Sequence, residues 1–433
     1  MAYARWRQCA CAGSGRCGAE LGAVAVERRW LLAAAASERE HGGQQFARAN
    51  CQRARQGAQA CAAPARHAPK VDADVAGRQP TARERVLLIS PAWVGDMVIS
   101  QTVAAALARR GAEVHCLAPR ATRDLARRMP GVVASHLIRT RHGRLDFGER
   151  SRVAMRLRRL RFERAVVLPG SFKSALVPAF ARIPHRIGYR KEARSALLTD
   201  ARALDARKLP RMVDRFAALA DADAEPPRLV ADTKARAQRA AELGVALDRT
   251  IIALCPGAAY GSAKRWPEAC FADVARACRD RGADVWLMGG EADAGATERI
   301  ARRSLAHNLA GRTSLTDAVD LLSAAHAVVS NDSGLMHVAA ALGVPVVAIY
   351  GSTTPEFTPP LGERTEIVAE ELPCRPCFAR ECPLGHLNCL RHIRPGRVLA
   401  ALERLDAFDG DGSANPVAVA SPGGVRDPLG ASR

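Results

Sequence analysis

Long apolar runs and aromatic residues are scarce in this chain of 433 residues. A helix that spans a bilayer needs roughly 20 apolar residues, and the longest apolar stretch, Val338–Tyr350, is interrupted by Gly343 and Pro345. We therefore do not expect an integral membrane protein. Aromatic residues make up 4% of the chain, and no zinc finger, RNA-recognition motif or aromatic-interleaved basic motif is visible. These absences argue against a nucleic-acid-binding module.

Lysine is scarce as well, although the chain is strongly basic. Six of the 64 basic residues are lysine, and the formal net charge is +20. The excess of arginine has two interpretations. It can simply cover solvated faces, or it can form a surface that meets nucleic acid, anionic lipid or a phosphorylated substrate. We predict no nucleic-acid partner, because charge is the single feature that favours one.

The cysteine pattern does not indicate a secreted protein. A chain of this length does not need a disulfide framework, although it has 13 cysteines. Cys116, Cys255, Cys270 and Cys278 lie in apolar or helical patterns, which predicts small buried side chains. A reducing cytoplasm fits this usage best.

The length predicts two domains between two unusual ends. Residues 1–80 are rich in Ala, Arg, Gly and Gln and lack periodicity, which indicates a disordered extension or a start codon placed too far upstream. We expect an N-terminal domain over 81–245, a second domain over 246–395, a helix over 396–408 and a disordered tail over 409–433.

Strands alternate with helices between these ends, which predicts an α/β fold with parallel sheets. The pattern restarts near residue 250, after the charged helical stretch Thr233–Leu243, and two such domains would enclose a cleft. Ligands of open α/β sheets bind at the carboxyl ends of the strands, so the turns directly after strands are the candidate sites. The predicted strands are Arg85–Ser90, Glu113–Leu117, Ala165–Leu168, Thr250–Cys255, Asp284–Met288, Ala327–Ser330 and Val346–Tyr350.

The most informative turn lies between the last two of these strands. Small polar residues over 330–334 lead into a predicted helix that begins at Leu335. Unpaired backbone N–H groups at a helix start favour an anion, usually a phosphate. The alternative is an ordinary turn in which Asp332 or Ser333 caps the helix.

Three further turns place charged side chains at strand ends. Asp96 stands after the first strand, as an N-cap or as a carboxylate that accepts a proton from a hydroxyl. Lys264 follows the strand at 250 and is suited to contact a phosphate, unless it is a solvated lysine. Glu291, after Gly289 and Gly290, is placed to hold a ribose hydroxyl, with a surface turn as the alternative.

Several motifs together make the chain resemble the bacterial lipopolysaccharide heptosyltransferases, most closely the type II enzymes, from about Arg85 to Leu405. The motifs are Trp93–Met97, Ser171–Pro178, Ile183–Gly188, Ala263–Pro267, Asn331–His337, Phe357–Pro360 and Cys374–His386. The resemblance implies a GT-B fold, in which two Rossmann-like domains bind the acceptor and ADP-heptose, respectively. It also implies inverting transfer of L-glycero-D-manno-heptose to the first heptose of the lipopolysaccharide inner core.

The resemblance assigns roles to residues of these motifs. Asp96 is the expected general base, Lys264 contacts the donor phosphate, and Glu291 holds the ribose. The pyrophosphate and sugar are expected at the turn of Asp332, Ser333, Gly334, Leu335 and His337. No acidic motif of the metal-dependent sugar transferases is visible, so we expect no obligatory catalytic metal and no cofactor.

The acceptor and the membrane are expected on the N-terminal domain. Lys173 and Arg190, in turns of that domain, are candidate contacts to the lipid A–Kdo–heptose acceptor. An arginine-rich segment over 152–161 is either a surface helix packed by Val153, Leu157 and Leu160 or an attachment to anionic lipid and acceptor phosphates. The expected location is the cytoplasmic face of the inner membrane, as a peripheral protein.

Some alternatives stay open at this point. Cys374, Cys377, Cys382 and Cys389, with His386 among them, have a spacing compatible with a structural zinc site or with a reduced, partly buried loop. A type I heptosyltransferase acting on Kdo2-lipid A and a GT-B-shaped nucleotide-sugar epimerase are the competing enzymes. The helix from Pro395 to Arg404 is expected to cross back onto the N-terminal domain.

Overall fold

The computed structural model describes residues 83–140 and 144–409 and contains two six-stranded parallel sheets. The first sheet has the order β3-β2-β1-β4-β5-β6. Its strands are β1 (Arg85–Ile89), β2 (Glu113–Pro119), β3 (Val132–Ile138), β4 (Arg164–Val167), β5 (His185–Tyr189) and β6 (Asp200–Arg202). Its helices are α1 (Val94–Ile99), α2 (Gln101–Arg109), α3 (Arg120–Arg123), α4 (Phe147–Arg158), α5 (Phe172–Phe180) and α6 (Met212–Ala218), with 3-10 turns at Asp124–Arg128 and Arg194–Leu197.

The second sheet repeats this arrangement, in the order β12-β11-β10-β7-β8-β9. Its strands are β7 (Ile251–Cys255), β8 (Asp284–Leu287), β9 (His307–Asn308), β10 (Ala327–Asn331), β11 (Val346–Tyr350) and β12 (Thr365–Ala369). Its helices are α7 (Thr233–Leu243), α8 (Glu268–Asp280), α9 (Ala294–Ser304), α10 (Leu315–Leu322), α11 (Gly334–Ala341), α12 (Asn388–Arg391) and α13 (Pro395–Arg404), with 3-10 turns at Ser262–Lys264 and Glu291–Asp293.

Both sheets have the strand order of a doubly wound Rossmann fold. We count the strands of each sheet from its own first strand and read the second sheet from β9 to β12. Both orders are then 3-2-1-4-5-6. The order reverses between β1 and β4 in the first sheet and between β7 and β10 in the second, and these switch points are where such sheets bind ligands. The α/β fold class with parallel sheets is therefore confirmed.

The central strands are apolar throughout because helices cover both faces of each sheet. Every residue of β7, β10 and β11 is buried, and β1 is buried from Val86 onward. One apolar cluster contains residues of both halves, including Met97 and Met336. The halves therefore share a packed core beside the cleft.

A buried ion pair also joins the halves. The Arg128 Nε donates to Oδ1 of Asp320 over 2.9 Å, and the backbone N–H of Asp232 donates to the same oxygen over 2.8 Å. Because both charged side chains are buried, losing either one would leave an uncompensated charge in the core.

Helices α7 and α13 both pack on the second half, although α7 precedes the predicted boundary near 245 and α13 was expected on the N-terminal domain. Helix α7 packs on α10 of the second half, and Arg236 Nη1 donates to Ser323 Oγ over 2.9 Å. Helix α13 packs chiefly on α8, β11 and β12, not on the first sheet. Val398, Ala401, Leu402 and Leu405 fall on one helical stripe that joins the apolar core of the second sheet.

The remaining points concern the first helices and the chain ends. Helices α1 and α2 meet at Ser100, whose hydroxyl donates to the Met97 carbonyl over 2.6 Å. The predicted extension and the tail beyond Asp409 lie outside the described residues. Within 83–140 and 144–409, no helix has the length and apolar character required to cross a bilayer.

Candidate active site between the two sheets

A cavity of about 610 Å³ lies between the carboxyl edges of the two sheets. The first half lines it with residues 93–96 and Met212, and the second half supplies the remaining lining residues. Of the predicted site residues, seven line this cavity: Asp96, Lys264, Asp332, Ser333, Gly334, Leu335 and His337. Side chains far apart in the sequence meet here because each follows a strand of a parallel sheet.

Asp96 lies in the first turn of α1 and does not cap the helix. The N-cap position is Trp93, and no side-chain hydrogen bond caps this helix start. Burial raises the pKa of Asp96 to about 6, the nearby Lys264 ammonium lowers it, and the Asp332 carboxylate raises it. Asp96 is therefore a more basic carboxylate than an ordinary aspartate, and it still loses its proton near neutral pH.

Two glycines allow the two halves to approach each other beside Asp96. A Cβ atom on Gly95 would stand 2.7 Å from Cδ2 of His337, and one on Gly334 would stand 2.7 Å from the Val94 Cβ. Real Cβ atoms do not come this close to their neighbours. Larger residues at either position would separate the starts of α1 and α11, and with them the two sides of the cavity.

Lys264 and Asp332 form the charged centre of the second half. The Lys264 Nζ lies 2.5 Å from Oδ2 of Asp332, and Thr353 Oγ1 donates to the same oxygen over 2.5 Å. The ammonium also stands 4.8 Å from the ring centroid of Tyr260. Asp332 is buried and engaged in these contacts, so the capping alternative considered for it is wrong.

The start of α11 carries no side-chain cap. Ser333 is the N-cap residue, and its side chain accepts no hydrogen bond from the first turn. The amides of Gly334 and Leu335 therefore begin the helix with no side chain bound to them, next to the cavity that both residues line. A helix start of this kind attracts an anion.

His337 lies in the first turn of α11, against Gly95. Its ring is buried, and burial lowers its pKa to about 4; Asp332 raises this pKa and Lys264 lowers it. The imidazole is therefore neutral at physiological pH. A neutral ring offers one N–H donor and one acceptor nitrogen to a bound molecule.

Asp293, and not Glu291, faces the cavity. Glu291 is exposed and does not line it, whereas Asp293 does. The Gly290 N–H donates to Oδ2 of Asp293 over 3.1 Å, and a Cβ on Gly257 would overlap the same carboxylate. Glu291 is the first acidic residue after the strand and was therefore the expected ribose contact. Asp293, two residues later in the same turn, was the second acidic candidate visible in the sequence.

The structure does not bring Lys173 and Arg190 into the cavity. Both follow strands of the first sheet, but neither lines the cavity. Arg190 is exposed, and its Nε donates to the Ala201 carbonyl over 2.7 Å. Lys173 is partly buried in the first turn of α5, where its carbonyl accepts from Arg150.

The arginine-rich segment over 152–161 belongs to helix α4 and the turn after it. Val153 and Leu157 are buried, and Leu160 is partly buried, so this stripe packs on the first sheet. Arg152, Arg158, Arg159 and Arg161 are exposed.

The cysteines predicted to be small buried residues are mostly so. Cys116, Cys255 and Cys278 are buried, and Cys270 is half-buried. Burial raises the pKa of Cys116 and Cys278 to about 12. Within the described ranges, no three His, Cys, Asp or Glu side chains are arranged as a formed metal site.

Known proteins are similar to this chain in sequence and in fold over about three quarters of its length. The sequence model of glycosyltransferase family 9 (heptosyltransferase) matches residues 150–388. The lipopolysaccharide heptosyltransferase 2 of Salmonella typhimurium is 39% identical over 346 residues, which cover 75% of this chain and 99% of that protein. The Escherichia coli K12 protein of the same name is 40% identical, over 74% of this chain and 98% of its own length.

Solved structures agree with these matches. The structure of E. coli ADP-heptose lps heptosyltransferase II has a TM-score of 0.66 and 38% identity, and the match covers 74% of this chain and 98% of that one. The E. coli heptosyltransferase WaaC with ADP has a TM-score of 0.57 at 19% identity, covering 74% of this chain and 99% of that one, and shows a shared fold. The fold is therefore the GT-B arrangement of these enzymes. By its sequence and its fold, the chain belongs to glycosyltransferase family 9, the heptosyltransferases.

Proposed function

We propose that this enzyme transfers L-glycero-D-manno-heptose from ADP-heptose to the first heptose of the lipopolysaccharide inner core, with inversion at the anomeric carbon. Relatives named heptosyltransferase 2, matched over nearly their full length, support this choice of reaction. One geometric observation carries the mechanism. Asp96 and Lys264 come from opposite halves and line the same cavity.

In the proposed reaction, Asp96 accepts the proton of the acceptor hydroxyl. The hydroxyl oxygen forms a bond to the anomeric carbon of the donor, while the bond from that carbon to the phosphate oxygen breaks and ADP leaves. A base is most useful when its pKa is close to the working pH. With a pKa of about 6, Asp96 is mostly ionised at neutral pH and binds a proton more strongly than an exposed aspartate does.

Lys264 and the start of α11 stabilise the negative charge that develops on the leaving diphosphate. Lys264 lies 2.5 Å from Asp332, so that carboxylate does not face the diphosphate as an unpaired negative charge. The uncapped amides of Gly334 and Leu335 supply further positive potential. The neutral His337 ring is placed to donate to a sugar hydroxyl. In this proposal, protein groups alone stabilise the charge on the leaving diphosphate, so no catalytic metal is included.

Asp293 replaces Glu291 as the proposed ribose contact. Its carboxylate is held by the Gly290 N–H and lines the cavity beyond the end of β8. A carboxylate that accepts a hydrogen bond from a ribose hydroxyl is a common arrangement at this position of a Rossmann fold. The nucleoside would then lie on the second half, with its diphosphate directed at Lys264.

The basic surface of the first half is the proposed acceptor and membrane face. Exposed arginines of the 152–161 segment, together with Arg190 and Lys173, would attract the acceptor phosphates and the anionic inner membrane from its cytoplasmic side. Each basic residue near an anionic surface contributes about 1 kcal/mol of attraction. We expect the protein to sediment with phosphatidylglycerol vesicles at low salt and not with phosphatidylcholine vesicles. Equal binding to both would contradict this surface assignment.

The proposed activity is tested with ADP-heptose and two defined acceptors, followed by mass analysis. Kdo2-lipid A carrying one heptose should gain one more heptose, and unmodified Kdo2-lipid A should stay unchanged. The opposite preference would identify a type I enzyme. Turnover of the nucleotide sugar without any acceptor would indicate an epimerase, and salt-sensitive binding to DNA or RNA that is indifferent to Asp96 would indicate a nucleic-acid-binding module.

A further inference from the structure

Three cysteines of one loop and a fourth in the short helix α12 line a second, much smaller cavity. Cys374, Cys377, Cys382 and Cys389 surround about 20 Å³ of space. This volume holds about one water-sized object. It is therefore too small for an organic ligand and large enough for a single ion.

We propose that these four cysteines form a structural site for one thiophilic divalent metal ion of the zinc class. Their Cys-x2-Cys-x4-Cys-x6-Cys spacing lies within one short segment, residues 374–389, and structural zinc is commonly held by four cysteines, in part as closely spaced pairs. All four are free thiols here, and they do not form a completed ligand set among the described residues. Metal binding would turn their side chains inward from the cavity wall.

The chain turns back sharply after Cys382. Gly385 and Leu387 adopt positive φ values of 70° and 51°, which fold residues 384–387 back on the cysteine. The Gly385 N–H donates to the Cys382 carbonyl over 3.1 Å, which closes this turn. The turn brings His386 and Leu387 to the wall of the cavity that Cys382 also lines.

The four thiols border one space of about 20 Å³. Several thiolates this close together repel one another, and a bound divalent cation removes that repulsion. His386 also lines the cavity, but its Nδ1 already accepts the Asn388 N–H over 3.0 Å, which favours the four thiols as the ligand set.

The loop that carries these cysteines also supports the active-site turns. The Ala263 N–H, next to Lys264, donates to the Arg380 carbonyl over 3.0 Å. The N–H groups of Cys377 and Phe378 donate to the Ser352 carbonyl over 3.0 and 2.8 Å, one residue before Thr353. A metal that fixes the loop would therefore fix the backbone around Lys264 and Thr353. This consequence, unlike metal binding itself, rests on the proposed function.

Cobalt titration of the chelator-stripped, reduced full-length chain tests the site directly. We expect one Co²⁺ per chain with the intense charge-transfer absorption of tetrahedral thiolate coordination, and displacement of Co²⁺ by Zn²⁺. The double variant Cys374→Ser/Cys377→Ser should lose this absorption. Cys270→Ser, which removes a half-buried cysteine of α8 outside the cavity, should retain it.

Three results would overturn the proposal. The first is the absence of the cobalt absorption, and the second is its persistence in the double variant. The third is that two of the thiols form a disulfide when the chain is exposed to air and that the chain takes up no metal. If the double variant does not fold, the wild-type chain decides, because stripping must lower its Tm and zinc must restore it. In the transferase assay, stripping should raise the donor KM several-fold, whereas the cobalt result stands whatever that assay gives.

Discussion

The two sheets have the same strand order but carry opposite chemistry at their carboxyl edges. The first sheet contributes Asp96, a carboxylate whose pKa is raised by burial, to the shared cavity. The second contributes Lys264 and an uncapped helix start, with Asp332 paired to the lysine at 2.5 Å. Topology therefore determines where a site forms, and the few residues after each central strand determine what it does.

This division keeps a proton acceptor and a cation in one cavity without direct pairing. Asp332, on the same half as Lys264, makes the close ion pair, and Lys264 reaches Asp96 through longer-range attraction that lowers its pKa. A base held in a tight ion pair would be weaker, because the partner stabilises its ionised form. Placement of Asp96 on the opposite half preserves its basicity.

Removal of the carboxylate of the first half should have the largest effect. We expect Asp96→Asn to lower kcat by roughly 10²- to 10⁴-fold, the usual contribution of a general base. Binding of ADP, measured by calorimetry, should change little because the donor contacts lie on the second half. Asp124→Asn, an exposed aspartate outside the cavity, is the matched control. Near-normal turnover of Asp96→Asn would mean that another group accepts the proton.

Removal of the cation of the second half should be the next most damaging change. We expect Lys264→Ala to lower kcat/KM by roughly 10²- to 10³-fold, as observed for the loss of a group that stabilises transition-state charge. Because Lys264 also lowers the pKa of Asp96, the acidic limb of the pH–rate profile should move to higher pH. Lys234→Ala, on the exposed side of α7, should behave as wild type. An unshifted pH–rate profile would show that Lys264 does not affect the ionisation of Asp96.

The contact between the halves can be tested without changing a charge. In Gly95→Ala the new Cβ would meet the His337 ring at 2.7 Å, so the two sides of the cavity must move apart. A displacement of about 1 Å at a reacting centre can cost roughly 100-fold in rate. Gly148→Ala, a helical glycine with nothing within 4 Å of its added Cβ, is the control. Equal kinetics for the two variants would show that the close contact between Gly95 and His337 does not position the reactants.

The choice between two neighbouring acids gives a smaller effect. Asp293→Asn should raise the donor KM by about 10-fold, which corresponds to the loss of hydrogen bonds to a charged group worth roughly 1.5 kcal/mol. Glu291→Gln should leave the donor KM nearly unchanged, because that side chain is exposed and outside the cavity. The reverse result would restore the assignment made from the sequence.

The raised pKa of Asp96 also predicts a modest effect on stability. The folded chain holds this proton up to about pH 6, against 3.8 for an ordinary aspartate. The stabilising contribution of the proton is therefore complete below about pH 4 and is lost as the pH rises through 6. We expect Asp96→Asn to raise the free energy of unfolding at pH 8 by on the order of 1–3 kcal/mol, and not at pH 4. Denaturant unfolding at both pH values measures this, and destabilisation at pH 8 would contradict it.

The alternation of strands and helices was enough to predict parallel sheets and the turns that matter. Asp96, Lys264 and the 332–337 turn reach one cavity because every parallel strand delivers its following turn to the same sheet edge. That regularity is local and periodic, so a sequence displays it. Tertiary structure decided the rest: Asp293 instead of Glu291 at the cavity, the Lys264–Asp332 pair, α13 on the second sheet, and four cysteines around one space. Each of these depends on the direction of a single side chain or on the packing of distant segments, which have no period in the sequence to reveal them.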